Sequence, residues 1–194
     1  MNAFVPGYDH DIFISYAWVD NKPLFDIDNQ SYGWVSCFVD ALEKNLAAKL
    51  GRANLFSLWM DLRNQDRARL TPEIIEKVKK TAAFLMILSP GYHQSYWCNE
   101  ELKCFLNEIK TRPDGSQRQV FLVRKTSYRV TIPEDLKDLI FYDFSYVDTK
   151  GRVRTRGLPK IQPDDRLYYE TVEDIAYDII DELERLRSKG AVNE

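Results

Sequence analysis

The run Ala82-Ala83-Phe84-Leu85-Met86-Ile87-Leu88-Ser89 leads into Pro90-Gly91-Tyr92-His93-Gln94-Ser95-Tyr96-Trp97-Cys98-Asn99-Glu100-Glu101-Leu102. The first seven residues are apolar at odd and even positions alike, the pattern of a strand buried on both faces of a parallel sheet. A polar loop follows, and then a helix whose apolar side is Cys98, Leu102, Phe105 and Ile109. Residues four apart share a helical face, so Trp97 and Glu101 project side by side near the helix start. A flat apolar ring beside a lone anion suits gripping a ring-bearing ligand and steadying a developing positive charge.

Working outward, the same alternation recurs. Strand-like runs appear at Asp11–Tyr16, Leu55–Asp61, Val120–Val123 and Leu139–Tyr142. Between the first two, Val35, Phe38, Val39, Leu42, Leu46 and Leu50 repeat at helical spacing, and Gly51 supplies a stop. Thr71-Pro72-Glu73 opens another helix, with Thr as cap, Pro at the first position and an acid in the first turn. Val172, Ile175, Ala176, Ile179, Ile180, Leu183 and Leu186 mark a long last helix. Strand-helix alternation of this kind predicts a doubly wound α/β fold: a five-stranded parallel sheet, order 2-1-3-4-5, with helices on both faces. Residues 1–194 read as one domain, with a core over about 9–187 and an irregular polar excursion over about 144–166.

Composition narrows the function classes. A net charge of -3 lacks the basic excess of a nucleic-acid binder, so no direct nucleic-acid partner is expected. Arg63, Arg67 and Arg69 read as a local solvated cluster. Cys37, Cys98 and Cys104 fall in helices among apolar residues with no paired spacing, as reduced thiols of a cytoplasmic protein do. With no C-x-x-C and with His10 far from His93, no metal site is expected. Met1–Asp9 has neither the basic start nor the apolar stretch of a signal peptide, and no apolar run approaches the ~18 residues of a membrane span.

Ligands of open parallel sheets bind beyond the carboxyl ends of the strands, where the strand order reverses. For order 2-1-3-4-5 that crevice lies between the first and third strands. Ser15 and Tyr16 leave the first strand there, Ser89 leaves the third, Asp61 leaves the second, and the helix carrying Trp97 and Glu101 starts on that edge. Each residue also has an ordinary reading. Ser15 and Ser89 can satisfy backbone groups, Asp61 can cap a loop, Trp97 can pack, and Glu101 can complement a helix dipole. Their common edge carries the functional case.

These residues resemble a known family. Asp11-Ile12-Phe13-Ile14-Ser15-Tyr16, then Asp61, then Ser89-x5-Ser95-x-Trp97-Cys98-x2-Glu101-Leu102 is similar to the Toll/interleukin-1 receptor (TIR) domain over about residues 9–187, bacterial rather than animal in style. The resemblance implies a flavodoxin-like sheet and one of two functions. Some members cleave the nicotinamide–ribose bond of NAD, releasing nicotinamide and ADP-ribose or a cyclic form; others are non-catalytic adaptors working through TIR–TIR contacts. In the enzymes the essential acid is the Glu that falls here on Glu101, with Ser15, Tyr16, Asp61, Ser95 and Trp97 as the substrate-binding set. Glu100, turned about 100° around the helix, should face solvent.

The chemistry suits one carboxylate. Nicotinamide in NAD is already cationic and leaves as a neutral base, so no second acid is needed to protonate it. The ribose develops oxocarbenium character, which a fixed anion stabilises. Without G-x-G-x-x-G, Rossmann-type binding is not expected; NAD is a substrate and no resident cofactor is implied. The stretch Leu62–Leu70 matches the family's loop after the second strand but lacks the glycine many members carry there.

Partners implied are NAD, other TIR domains in self-assembly, and a separate sensor protein or missing sensor domain, in immune or antiphage defence. A phosphoacceptor receiver is disfavoured, because the third strand ends in Ser89 where receivers need Asp. A nucleoside deoxyribosyltransferase is a minor enzymatic alternative.

Overall fold

Five parallel strands form the central sheet in the order β2-β1-β3-β4-β5. They are β1 His10–Tyr16, β2 Leu58–Met60, β3 Thr81–Leu88, β4 Val120–Arg124 and β5 Phe141–Asp143. The helices are α1 Trp34–Leu50, α2 Pro72–Lys79, α3 Pro90–Gln94, α4 Tyr96–Thr111 and α5 Arg166–Gly190. The computed structural model describes residues 3–23, 32–51, 56–60, 71–113, 115–158 and 162–190. Asp61, the Leu62–Leu70 loop with its three arginines, and Leu55 lie outside the described residues.

Period-two alternation divides the strands between two cores. Ile12 and Ile14 of β1, Ala83, Leu85 and Ile87 of β3, and Phe121 and Val123 of β4 pack with α1 and α5. Phe13, Phe84, Met86, Leu88, Val120 and Leu122 point the other way and pack with α4 and Val78 of α2. On that second face Phe84 stacks between Phe13 and Phe105, with ring centroids 5.5 and 5.2 Å away. All of β3 is buried, as its uninterrupted apolar run requires.

Local signals end the helices where the sequence suggests. Gly51 closes α1 at φ 71°, a left-handed conformation that a side chain would disfavour. Thr71 Oγ1 accepts the Ile74 N–H at 3.3 Å, with Pro72 at the first helical position. The α1 N-terminus is capped from a distance instead: Asn21 Oδ1 accepts the Ser36 N–H at 2.8 Å.

Three expectations change. The polar loop after β3 is α3, a short helix capped by Ser89, whose Oγ accepts the Tyr92 N–H at 3.0 Å. The stretch 144–166, read as irregular, carries an antiparallel hairpin of β6 Ser145–Val147 and β7 Val153–Thr155. Three-residue strands are too short to display a period. The hairpin is shaped by Asp148, whose Oδ1 accepts the N–H groups of Lys150 and Arg152, both at 2.9 Å. Buried Phe144 fixes its base in an aromatic cluster with Trp34, Phe38 and Tyr168. The last sheet strand also starts later than the sequence suggests, at Phe141 rather than Leu139.

Candidate functional site

A cleft of about 220 Å³ opens at the carboxyl end of β1, bounded by Ala17, Trp18 and Val19 on one side and Ser95, Trp97, Cys98 and Glu101 on the other. This is the switch point of the sheet, since β1 lies between β2 and β3. The sequence builds it from three pieces. In β1, Ser15 shares the face of Phe13 and so points toward α4, whereas Tyr16 shares the face of Ile14. The chain then turns through a one-turn 3-10 helix, Trp18–Asn21. The third piece is the first two turns of α4, where the four-residue spacing brings Trp97 and Glu101 to the cleft together.

The central contact is a hydrogen bond of 2.6 Å from Ser15 Oγ to Glu101 Oε2. It joins residues far apart in sequence and holds a carboxylate at the cleft wall. Ser15 is buried, at 1% exposure, while Glu101 is half-buried and so reaches the cleft. Behind them the buried Tyr92 hydroxyl lies 3.1 Å from Ser15 Oγ and donates to the Cys98 carbonyl at 3.1 Å. Cys98 lines the cleft beside Glu101; burial, with the nearby carboxylate, pushes its thiol up to about 12, so it stays protonated. Trp97 is half-buried and meets the exposed Tyr96 ring edge-on at 4.8 Å.

The remaining expected residues sort themselves. Ser95 caps α4, its Oγ accepting the Cys98 N–H at 3.3 Å, and stands at the cleft rim. Tyr16 borders the cleft but packs against the α1/α5 core, on the face opposite Ser15. Glu100 does not line the cleft; it pairs with the exposed Lys103 at 2.7 Å. Asp61 falls outside the described residues. Of the three cysteines, Cys98 is buried and the other two are half-buried.

A buried polar cluster that the sequence reading missed props up the cleft. Asp20, 8% exposed, accepts from the Ser89 hydroxyl and pairs with Lys125 Nζ at 2.9 Å. Lys125 also donates to the Asp20 carbonyl at 3.1 Å, tying the Trp18–Asn21 turn to the ends of β3 and β4. Gly91 lets α3 approach this turn closely: a Cβ there would lie 2.6 Å from Val19 Cγ1. The Ser89-Pro90 pair carried the signal for this arrangement, the same cap-then-proline start that marked Thr71-Pro72.

Two larger clefts, of about 380 and 410 Å³, lie along the β5 edge. Their linings include Asp138, Asp174, Asp178, Asp181 and Glu182. Two of these acids are engaged, Asp178 by the Tyr142 hydroxyl at 2.5 Å and Glu182 by Arg185 at 2.6 Å. An acid-rich lining also repels an anionic ligand. Among the described residues no group of three His, Cys, Asp or Glu is arranged to hold a metal ion. Nor is any described helix long and apolar enough to cross a membrane.

The doubly wound sheet, with a Ser–Glu contact at its switch point, defines a flavodoxin-like α/β domain. A family model described as TIR domain matches residues 31–155, and the chain belongs to the TIR domain family. A search of curated proteins found no match. Among solved structures it is similar to the TIR domain of the Toll-related receptor TRR-2 from Hydra magnipapillata. The identity is 18% and the TM-score 0.40, over 70% of this chain and 84% of the other. It is also similar to the TIR domains of the activated Roq1 resistosome recognising the pathogen effector XopQ. There the identity is 16% and the TM-score 0.36, over 93% of this chain and 98% of the other.

Proposed function

We propose that this TIR domain cleaves the nicotinamide–ribose bond of NAD, giving nicotinamide and ADP-ribose or its cyclic form. The observation that carries the reading is the 2.6 Å Ser15–Glu101 hydrogen bond, which holds a carboxylate beside Trp97 at the sheet's switch point. The cleft's 220 Å³ is below the ~300–1,000 Å³ of typical ligand pockets, which suits one end of a dinucleotide. In this reading the nicotinamide ring lies against Trp97, and the ribose presents its anomeric carbon to Glu101.

The reaction follows from charge. The C–N bond breaks with its electron pair going to the pyridinium nitrogen, so nicotinamide leaves neutral. Positive charge spreads over the ribose anomeric carbon and ring oxygen, and Glu101 stabilises it from a fixed position without reorganisation. Water or an internal nucleophile of the ADP-ribosyl group then closes the reaction. Cys98, held protonated, stays out of this chemistry.

A permanently active NAD-cleaving enzyme would drain its own cell, so activity is proposed to await self-assembly or a sensor partner, in a defence role. The test is to incubate concentrated protein with NAD, follow nicotinamide release, and weigh the ribosyl product by mass. The expected result is release by the wild type and none by a folded Glu101→Ala variant. An assembled wild-type protein that leaves NAD intact overturns the reading and leaves a non-catalytic TIR interaction module.

A further inference from the structure

We propose that Trp18 and Lys22 complete the substrate subsite, Trp18 as the platform for the ribose and Lys22 as the partner of its 5′-phosphate. The inference rests on the reading of NAD as the substrate and adds which residues hold the sugar–phosphate end.

The tryptophans separate into two pairs. Trp34 is 3% exposed and belongs to the α1/α5 core, and Trp59 packs against the core on the other face of the sheet. Trp18 and Trp97 belong to neither core, and both line the cleft, from opposite sides. Leaving an indole 38% exposed, as at Trp18, forgoes apolar burial that would stabilise the fold. The turn that carries it is nonetheless firmly placed. Asp20 ties it to Lys125 and Ser89. Asn21 accepts the Ser36 N–H at 2.8 Å and donates to Ser36 Oγ at 2.9 Å. A fixed turn that presents an indole to a cleft serves a ligand rather than the core.

Charge assigns the two rings. Lys22 Nζ stands 4.0 Å from the centroid of the Trp18 ring. Lys22 is exposed and makes no salt bridge with a described carboxylate. A second cation on the same indole would compete for one ring quadrupole and be repelled by the first. The pyridinium therefore takes Trp97, beside the Glu101 carboxylate, and the uncharged ribose takes Trp18.

The substrate carries both signs of charge, positive on nicotinamide and negative on the phosphate one methylene beyond the ribose. Glu101 on one wall and Lys22 against the other present the opposite signs. One orientation of the dinucleotide matches both, so this pair selects the end that enters the cleft. Among the described residues no lysine or arginine lines the cleft itself, which leaves the phosphate to a cation at its border.

Two measurements test this. In the first, the protein is labelled with 5-fluorotryptophan and titrated with carba-NAD, whose ribose ring oxygen is replaced by a methylene and which resists cleavage. The ¹⁹F signals are assigned with Trp18→Phe and Trp97→Phe. The Trp18 and Trp97 signals should shift, and those of Trp34 and Trp59 should hold still. In the second, nicotinamide release under assembly conditions is compared for NAD and for nicotinamide riboside, which lacks the phosphate. Trp18→Ala is expected to raise KM about tenfold for both substrates, with kcat within about twofold. Lys22→Gln is expected to raise KM for NAD about threefold at low salt, an increase that added salt erases, and to leave the riboside unchanged.

A Trp18 signal that stays still while that of Trp97 moves overturns the proposal. So does a Lys22→Gln effect that fails to distinguish the two substrates. Carba-NAD that shifts both signals in a protein inert toward NAD sustains the subsite and rejects the enzymatic reading instead. If neither signal moves, the subsite and the NAD reading fall together. The first measurement reads the wild-type chain, so it stays decisive should Trp18→Ala fold poorly.

Discussion

Trp97 and Glu101 were legible in the sequence because helical spacing is a strong rule: four residues bring two side chains to one face, and both line the cleft. Ser15 was legible for a similar reason, as a small polar residue ending an apolar strand. Tyr16 borders the same cleft, while strand alternation also turns it to the face of Ile14 and sets it against the α1/α5 core. If Trp97 holds the nicotinamide ring, replacing it should weaken binding more than chemistry. Trp97→Ala is expected to raise the KM for NAD about tenfold, and Trp97→Phe to fall between it and the wild type. Steady-state kinetics on folded variants checks this.

Among the elements, the Trp18–Asn21 turn is the piece the sequence concealed. Its geometry depends on Asp20 meeting Lys125 and Ser89, three residues brought together by topology and invisible to any local pattern. Lys125→Met leaves a carboxylate buried without its cation, a loss of about 3–5 kcal/mol in folding free energy. Combining it with Asp20→Leu should recover much of that loss, because no lone buried charge remains. Urea denaturation of the single and double variants measures both. A double variant as unstable as Lys125→Met would contradict the pairing. The short helix α3 was readable in principle, since Ser89-Pro90 repeats the logic of Thr71-Pro72; the β6–β7 hairpin was not, because strands of three residues leave no periodicity.

Across the whole molecule, topology followed from the order of apolar runs, and the sheet order β2-β1-β3-β4-β5 is the one the sequence predicts. Tertiary placement of charge was not readable in this way, and it governs how stability responds to pH. His10 has its pKa lowered from 6.5, first by burial and then by Lys77. The folded state therefore resists a proton that the unfolded chain accepts. Stability from this residue is present above pH 6.5 and is lost as pH falls below it. The urea midpoint should drop between about pH 7.5 and 5.5, and His10→Gln should flatten that drop. An unchanged slope in the variant would remove His10 from the explanation.

The reading as a whole depends on a negative charge at the cleft wall, and Glu101→Gln tests it most directly. The amide keeps the size of the side chain and can still accept from Ser15, so the fold and melting temperature should be preserved while the charge is gone. At matched protein concentration and assembly state, its rate of nicotinamide release from NAD is expected to fall about a thousandfold. A folded Glu101→Gln protein that releases nicotinamide as fast as the wild type would contradict the account.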